Sequence, residues 1–473
     1  MIERVTDPAI LEGYLTDASN LHGHADALVR PANAAEVAEV VRHCQTHGIP
    51  LTVTAARTST TAAPVPYGGW LLSLERMNTV HHIGHDTAEA DAGVLLGAFQ
   101  AEIEATGRLF PPDPTSRNDC TLGGAIACNA SGARSFRYGP TRPWIEALEV
   151  VLPTGELRTF RRGDPVPEGW PAVDWHEPAV KTAAGYAPPR DAVDLFIGQE
   201  GTLGIVTRAT VRLTDLPPDV LGVFAFFPDR SSALRFVEAA RAAARNDARG
   251  AVSPRCLEFF DGHCLDLARA RGTDVPSEAR CALFCEQEVW DADLDHLSAW
   301  WELLTATGAL ADDTVVATDD PGRARLHALR HAIPAGINEV VVRNRMPKLG
   351  TDLSVPDAAL ATMMDAYDAA PITHALFGHI GDNHLHLNML PKTPEELAVA
   401  KAYYDDLARL AITLGGSISA EHGVGKTKVR QLSWMIGEGA VKGMAQLKRC
   451  LDPGWILGRG TLLAEPGPPE RAP

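Results

Sequence analysis

Two short stretches hold most of the side chains able to do chemistry. Phe377 to Asn388 reads FGHIGDNHLHLN, and Ser419 to Gly425 reads SAEHGVG. They offer His379, His384, His386, His422, Glu421, Asp382 and Asn388. Imidazole and carboxylate together suit a divalent cation and proton transfer. If residues 384–388 form a strand, His384, His386 and Asn388 share one face while Leu385 and Leu387 take the other. Gly378 and Gly381 bracket His379 and would let the backbone turn tightly there. The expectation is a metal-assisted active site.

The elements that must position these residues come from a chain of 473 residues, long enough for two domains. Asn33 to His47 carries a helical stripe of Val37, Val40, Val41 and Cys44 that Gly48 ends. Strands are predicted at 49–54, 70–74 and 147–152, the last in a hairpin with 157–160 across Pro153-Thr154-Gly155-Glu156. A helix is predicted near 95–105, and residues 163–192 read as a surface excursion. A second αβ unit begins after Leu216-Pro217-Pro218. It has strands at 221–227 and 281–287, helices at 231–245 and 292–307, and an antiparallel sheet. The last fifty residues read as helical, and the tail after Ala464 as lacking structure.

Composition excludes several classes. A formal net charge of −17 repels phosphate backbones, so nucleic acid is not an expected partner. No apolar run reaches the roughly 20 residues needed to span a bilayer, and the N-terminus has no secretory or transit character. Cytoplasmic placement is expected, compatible with peripheral attachment at the inner membrane and with a homodimer. The 8 cysteines form no CxxC pair, which argues against a zinc knuckle or iron–sulfur cluster. Cys281 and Cys285 read as reduced core residues.

Three small-residue loops have phosphate-binding character. They are Ala55-Ala56-Arg57-Thr58-Ser59-Thr60-Thr61-Ala62-Ala63, Thr121-Leu122-Gly123-Gly124-Ala125 with Asn129-Ala130-Ser131-Gly132, and Glu200-Gly201-Thr202-Leu203-Gly204-Ile205. None is GxGxxG. The GKT at Gly425 to Thr427 is not a Walker loop, because position 420 is alanine.

In this order, RTSTTAAPVP, PPDPTS, TLGGAIACNASGA, FIGQEGTLGIVT, GHIGDNHLHLN and SAEHGVG resemble the FAD-linked D-2-hydroxyacid dehydrogenases. These include D-lactate dehydrogenases, glycolate oxidase subunits and D-2-hydroxyglutarate dehydrogenases, with the vanillyl-alcohol-oxidase (PCMH) type of FAD fold. The resemblance runs from about Arg30 to Gly460. It implies an α+β protein: a two-subdomain FAD-binding domain at 1–215, a substrate cap with a helix-covered antiparallel sheet at 216–425, and a helical segment at 426–473 returning to the first domain. It implies non-covalent FAD, since no histidine stands near Thr58. The pyrophosphate would lie on Ala55, Ala56, Arg57, Thr58 and Ser59. Pro112, Asp113, Gly123, Gly124, Asn129 and Gly132 would line the isoalloxazine and pyrophosphate. Glu200, Gly201, Gly204 and Ile205 would lie near the adenine–ribose end. His379, His386 and Glu421 would ligate zinc or manganese. His422 would be the general base, Asn388 a substrate contact and Arg330 the fork for the substrate carboxylate.

The resemblance also implies a small 2-hydroxyacid substrate and an external electron acceptor, whether quinone, cytochrome or electron-transfer flavoprotein. Ala55, Ala56, Ala62 and Ala63 stand where relatives carry glycine, and alanine restricts φ. Gly458-Arg459-Gly460 replaces a usual Asn-Pro-Gly. Some D-2-hydroxyglutarate dehydrogenases have a lysine where this chain has Gly350, so D-lactate is the favoured substrate, although Lys348, Arg343 and Arg345 lie close in sequence. The alternatives are D-2-hydroxyglutarate or glycolate dehydrogenase, a flavin transferase resembling alkyl-glycerone-phosphate synthase, and a non-catalytic subunit.

Overall fold

The computed structural model describes residues 3–465, and the segment beyond Glu465 lies outside the described residues. The first third of the chain builds two sheets. One has four strands in the order Arg4–Val5, Ala27–Val29, Trp70–Ser73, Leu51–Thr54, the last three mutually parallel. Helix Ala34–His47 touches this sheet where the His43 ring stacks on Trp70, and the Arg42 guanidinium donates to Gly155 O at 2.9 Å. The Asn33 side chain accepts from Glu36 N–H at the helix start, and Gly48 closes the helix at φ +64°. The other sheet is antiparallel: Val80–Ile83, Thr87–Asp91, Ile205–Arg212, Ile145–Val151, Leu157–Arg161.

An eight-stranded antiparallel sheet follows. Its main order is Val315–Ala317, Asp219–Phe227, Cys281–Val289, Pro254–Phe260, His374–His379, His384–Met389, Leu349–Gly350, and Leu353–Ser354 also pairs with His384–Met389. Alternation along its strands splits two cores. Val223, Ala225, Phe227, Leu257, Phe259, Cys281, Leu283 and Cys285 face one. Phe224, Phe226, Cys256, Phe260, Ala282 and Phe284 face the other. Cys281 and Cys285 are thus buried free thiols on one strand face. The second core is closed by helices Gly262–Ala270 and Asp320–Asn344.

The expectation for residues 163–192 is overturned. The segment has few regular elements, yet Val173, Trp175, Ala183, Ala184 and Tyr186 are buried. Trp175 Nε1 donates to Tyr186 O at 2.8 Å, and Ala183 N–H to Ser419 O at 2.8 Å. Its Pro and Asp content marks irregular backbone, which tertiary contacts have drawn inside. Helix Val429–Leu451 then returns along the molecule, kinked at Gly437 (φ +78°). Among the described residues, no helix is long and apolar enough to cross a membrane.

Candidate active site

The histidine-rich stretch is a hairpin. His374–His379 pairs antiparallel with His384–Met389, and the register sets His379 opposite His384 and Phe377 opposite His386. The turn is the 3-10 segment Ile380–Asp382 followed by Asn383 at φ +54°. The turn expected near Gly378 and Gly381 is present, with Gly381 inside it and Gly378 at φ +142°, but its left-handed residue is an asparagine. Those glycines also serve close approach. A Cβ on Gly378 would lie 2.8 Å from His384 O, and one on Gly381 2.8 Å from Phe136 Cβ. Because residues i and i+2 share a face, His384 and His386 point with His379 to one side, and Leu385 and Leu387 enter the core.

Glu421 sits among them. Its Oε1 is 3.5 Å from both His379 Nε2 and His386 Nε2 and 3.6 Å from His422 Nε2, while Oε2 is 3.9 Å from His384 Nδ1. One ligand atom each from His379, His384, His386 and Glu421 lies within 4.8 Å of the other three. His384 is buried; its Nε2 lies 3.0 Å from Asp352 Oδ1, while its Nδ1 makes no hydrogen bond and faces Glu421. An imidazole with an unpaired ring nitrogen beside two others and a carboxylate is the donor set of a borderline cation such as zinc. These residues fit the expected metal, and His384 lies within the same group as the three expected ligands. His386 Nδ1 bonds Thr351 O at 2.9 Å, which fixes that ring's tautomer and leaves Nε2 for coordination.

Four charged residues of this cluster were not predicted. Lys181, from the irregular segment, donates to Glu421 Oε2 at 2.9 Å and to Ser135 Oγ at 2.9 Å. Glu258 lies 3.1 Å from His379 Nδ1. Asp352 accepts from the backbone of Glu421 and His422 (3.1 Å each), from Ser419 Oγ (2.7 Å) and from Lys428 Nζ (2.6 Å). Its Oδ1 is 3.0 Å from His384 Nε2 and its Oδ2 3.6 Å from His422 Nδ1. A signal for Glu258 did exist: a charged residue inside the apolar run PRCLEFF must be paired if buried.

The charges shift one another. Burial raises the Glu421 carboxyl, but Lys181 and His379 outweigh it and hold it well below the usual range. Burial opposes charging of His379, yet Glu421 brings it up to about 9. Burial, with His386 adjacent, keeps His384 neutral. Burial also lowers His422 against the pull of Asp352 and Glu421.

Arg330 needs a correction. Its guanidinium grips Glu258 through two hydrogen bonds, the Nη2–Oε1 one at 2.7 Å. The fork expected for a substrate carboxylate is therefore occupied by a protein carboxylate, and the Glu258 carboxyl is brought down to about 2 despite burial. Asn388 is buried, its Oδ1 accepting from Lys348 Nζ at 2.9 Å.

The three small-residue loops converge on this cluster. Ser131 Oγ donates to Glu421 Oε2 at 3.3 Å, so the Asn129–Gly132 turn touches the metal-type ligands directly. Thr61 O accepts from Lys426 N–H at 2.9 Å, and Thr61 Oγ1 donates to His422 O at 3.3 Å. Glu200, at φ +51°, accepts from Val424 and Gly425 N–H at 2.8 Å each. Its carboxylate thus holds the SAEHGVG loop. Ala55, Ala56, Arg57, Thr58 and Ser59 are half-buried, and Gly201 (φ +76°) has only Val53 Cβ, at 3.8 Å, near its missing side chain. Open backbone at Gly201 beside a half-buried small-residue loop fits a diphosphate cofactor.

Gly123, Gly132 and Gly204 allow backbones to meet, since a Cβ would come within 2.7 Å of Ala92 Cβ, 1.8 Å of Asp113 O and 2.7 Å of Val150 Cγ1 respectively. For Gly124 the nearest atom is Thr121 Oγ1, at 3.3 Å. Asn129 takes φ +49° and bonds Arg142 N–H at 2.9 Å. Pro112 O accepts from Gln100, and Asp113 pairs with Arg117 and Arg134. Ile205 is buried in its sheet. Of the four alanines replacing glycine, only Ala62 takes positive φ (+63°), so the restriction expected of alanine applies there alone. The Gly458–Gly460 turn reaches the same place, with Gly201 O 3.0 Å from a Cβ on Gly458.

Burial raises the Glu200 carboxyl to about 7 despite its two backbone bonds. Because that lies above the ordinary 4.5, the folded chain favours protonated Glu200. Its contribution is full below 4.5 and is lost as pH rises through about 7. Glu200→Gln has no proton to lose. Between those values wild type should lose about 3 kcal/mol relative to the variant, read from denaturant melts at each pH.

With this geometry in view, comparison with known proteins is direct. Residues 25–161 match the FAD binding domain family, and residues 220–462 match the C-terminal domain of FAD linked oxidases. The chain belongs to the FAD-linked oxidoreductases of the D-2-hydroxyacid dehydrogenase family. It is 31% identical to a D-2-hydroxyglutarate dehydrogenase of Xanthomonas citri pv. viticola, covering 99% of this chain and 96% of that protein. It is 29% identical to glycolate oxidase subunit GlcD of Bacillus subtilis (93% and 89% covered) and 28% identical to a D-lactate dehydrogenase of Anaerostipes hadrus (96% and 93%). Among solved structures, p-cresol methylhydroxylase superposes with a TM-score of 0.70 at 15% identity, over 98% of this chain and 94% of that one. Alkyldihydroxyacetonephosphate synthase superposes at 0.65 and 18% identity, over 93% and 76%. These two show the shared vanillyl-alcohol-oxidase-type fold, as expected from the α+β reading. The protein is an oxidoreductase acting on hydroxyacids.

Proposed function

We propose that the protein oxidises a D-2-hydroxyacid to the 2-oxoacid with the help of a divalent cation held by His379, His384, His386 and Glu421. The observation that carries this reading is the buried three-histidine, one-glutamate cluster tied through Ser131 to a flavin-type loop. When bound, FAD supplies the two-electron acceptor for the α-hydride, and zinc or manganese supplies the charge that acidifies the α-hydroxyl. Asp352, 3.6 Å from His422 Nδ1, favours the tautomer with hydrogen on that nitrogen. Nε2 is then the lone pair that takes the hydroxyl proton, and a lowered pKa keeps the imidazole neutral and ready. Lys181 and Ser131 hold Glu421 in place. Electrons leave to an acceptor on another molecule, of quinone, cytochrome or flavoprotein type.

D-lactate is the substrate favoured by the glycine at position 350. One observation favours a second reading. Lys348 is an exposed residue whose ammonium reaches in to Asn388 Oδ1 with no carboxylate partner among the described residues, and partial desolvation lowers its pKa. A cation placed there suits the far carboxylate of a diacid such as D-2-hydroxyglutarate.

The test is anaerobic stopped-flow absorbance of the FAD-loaded protein with D-lactate, L-lactate, D-2-hydroxyglutarate and glycolate. Bleaching by one D-acid, abolished by a chelator that leaves the yellow colour in place, is the expected result. Absence of bleaching from yellow, metal-loaded protein would overturn the proposal and favour the transferase chemistry. Lys348→Met separates the substrates: oxidation of D-2-hydroxyglutarate should fall at least tenfold more than that of D-lactate if the diacid is native.

A further inference from the structure

A second group of metal-type side chains lies outside this site. Asp261 caps helix Gly262–Ala270, His263 lies in that helix's first turn, and His374 opens strand His374–His379. One ligand atom from each lies within 4.8 Å of the other two. His374 and His379 are five residues apart along one strand, about 16 Å at the usual rise, so this group is separate from the catalytic cluster.

Asp261 is held firmly. Its Oδ1 accepts from Cys264 N–H at 2.8 Å and its Oδ2 from Leu376 N–H at 2.9 Å, while its own N–H donates to Leu376 O at 2.9 Å. Each carboxylate oxygen keeps a lone pair, and the only ion-pair neighbour of Asp261 among the described residues is His263, with Nδ1 at 3.7 Å. His374 Nδ1 bonds Ile372 O at 3.0 Å. That bond places hydrogen on Nδ1 and turns the free lone pair of Nε2 outward, the arrangement that prepares an imidazole for a metal. The two rings meet edge to face, with centroids 5.0 Å apart. Asp266 and Asp368 add negative charge around His263. Asp368 itself is held by Arg230, 2.5 Å away.

We infer that Asp261, His263 and His374 form a second divalent-cation site, of zinc type, that clamps helix Gly262–Ala270 to the strand ending in His379. Tetrahedral zinc with bonds of about 2.0–2.1 Å needs ligand atoms about 3.4 Å apart. The spacing between Asp261 and His263 is already close to that. The remaining closure falls to His263, whose side chain is 60% exposed and free to move. Two imidazoles and one carboxylate, completed by water, prefer zinc to magnesium or calcium.

The experiment is calorimetric zinc titration of full-length, chelator-stripped protein, with zinc per chain counted by elemental analysis. His263→Ala and His374→Ala should each take up one equivalent fewer than wild type, with flavin reduction unchanged in His263→Ala. His386→Ala serves as the comparison and should lose the other equivalent. Far-UV circular dichroism checks that each variant is folded. Equal zinc uptake by wild type and His263→Ala would overturn the inference. Because the readout is a difference at this group, it stands or falls apart from the catalytic metal.

Discussion

Gly425→Ala should give a protein that no longer retains FAD and that unfolds far more easily than wild type. Gly425 takes φ +54°, and a Cβ there would sit 2.0 Å from Thr61 O. The left-handed conformation alone costs an L-residue about 1–2 kcal/mol. The clash adds more, because the opposing atom is backbone and cannot rotate aside. A total above about 3 kcal/mol is expected. The strain would be released by parting the SAEHGVG loop from the 55–63 loop. That breaks the Lys426 to Thr61 bond and the Glu200 bond to Gly425. Flavin absorbance after gel filtration and a thermal melt check both effects. A yellow variant of wild-type stability would show that the two loops are not pressed together there. Gly48→Ala is the control: it too is left-handed (φ +64°, ψ 28°), but with open space around it, so only the conformational cost applies.

The second large effect is expected from Glu421→Ala. This carboxylate faces His379, His384, His386 and His422 and accepts from Lys181 and Ser131. Its removal takes the nearer anion from the buried Lys181 ammonium and leaves only Asp382 Oδ2, 3.8 Å away, and breaking a buried pair in this way costs up to about 3–5 kcal/mol. Without Glu421, the three imidazoles lose their anionic co-ligand and the Lys181 ammonium is left to repel a divalent cation. Substrate-driven flavin reduction should fall by about 10³-fold or more, with bound metal reduced to well under one equivalent at this site. Glu421→Gln keeps the shape and one acceptor for Lys181. It should recover much of the stability and little of the rate. If Glu421→Ala reduced flavin at the wild-type rate, the cluster would not be the reacting centre.

Much of the site was legible in the chain because its spacing is local. The alternation HLH places two imidazoles on one strand face, and a short hairpin brings His379 opposite them. Strand periodicity was enough to expect the shared face of His384 and His386, while the hairpin that sets His379 opposite them was not foreseen. The helix at Ala34–His47 was equally plain from Asn33, its apolar stripe and Gly48. Lys181, Glu258 and Asp352 were not legible as partners, since they reach the cluster from elements far apart in sequence, and Lys428, close by in the chain, acts only through the distant Asp352. Pro and Asp in residues 163–192 report the absence of regular hydrogen bonding and say nothing of depth, so a buried lysine there escaped notice. Arg330 shows the opposite error. A guanidinium suited to a carboxylate was found, but a protein carboxylate, Glu258, had reached it first.

Asp352 has a consequence for how the chain reaches its native state. It joins the backbone of Glu421 and His422, the Ser419 hydroxyl and the Lys428 ammonium to His384. During synthesis, residue 352 leaves the ribosome well before residue 428. Until those later partners arrive, its carboxylate lacks the groups that allow it to be buried as an anion, and it must remain hydrated. The eight-stranded sheet can therefore form its interior strands early, but its margin at Thr351–Ser354 has to wait. Contacts between residues so distant in sequence are the slowest to close. Competence for chemistry should then appear only at the end of folding, as a single late event. A chain stopped before Lys428 would carry all three hairpin histidines and still have no assembled centre.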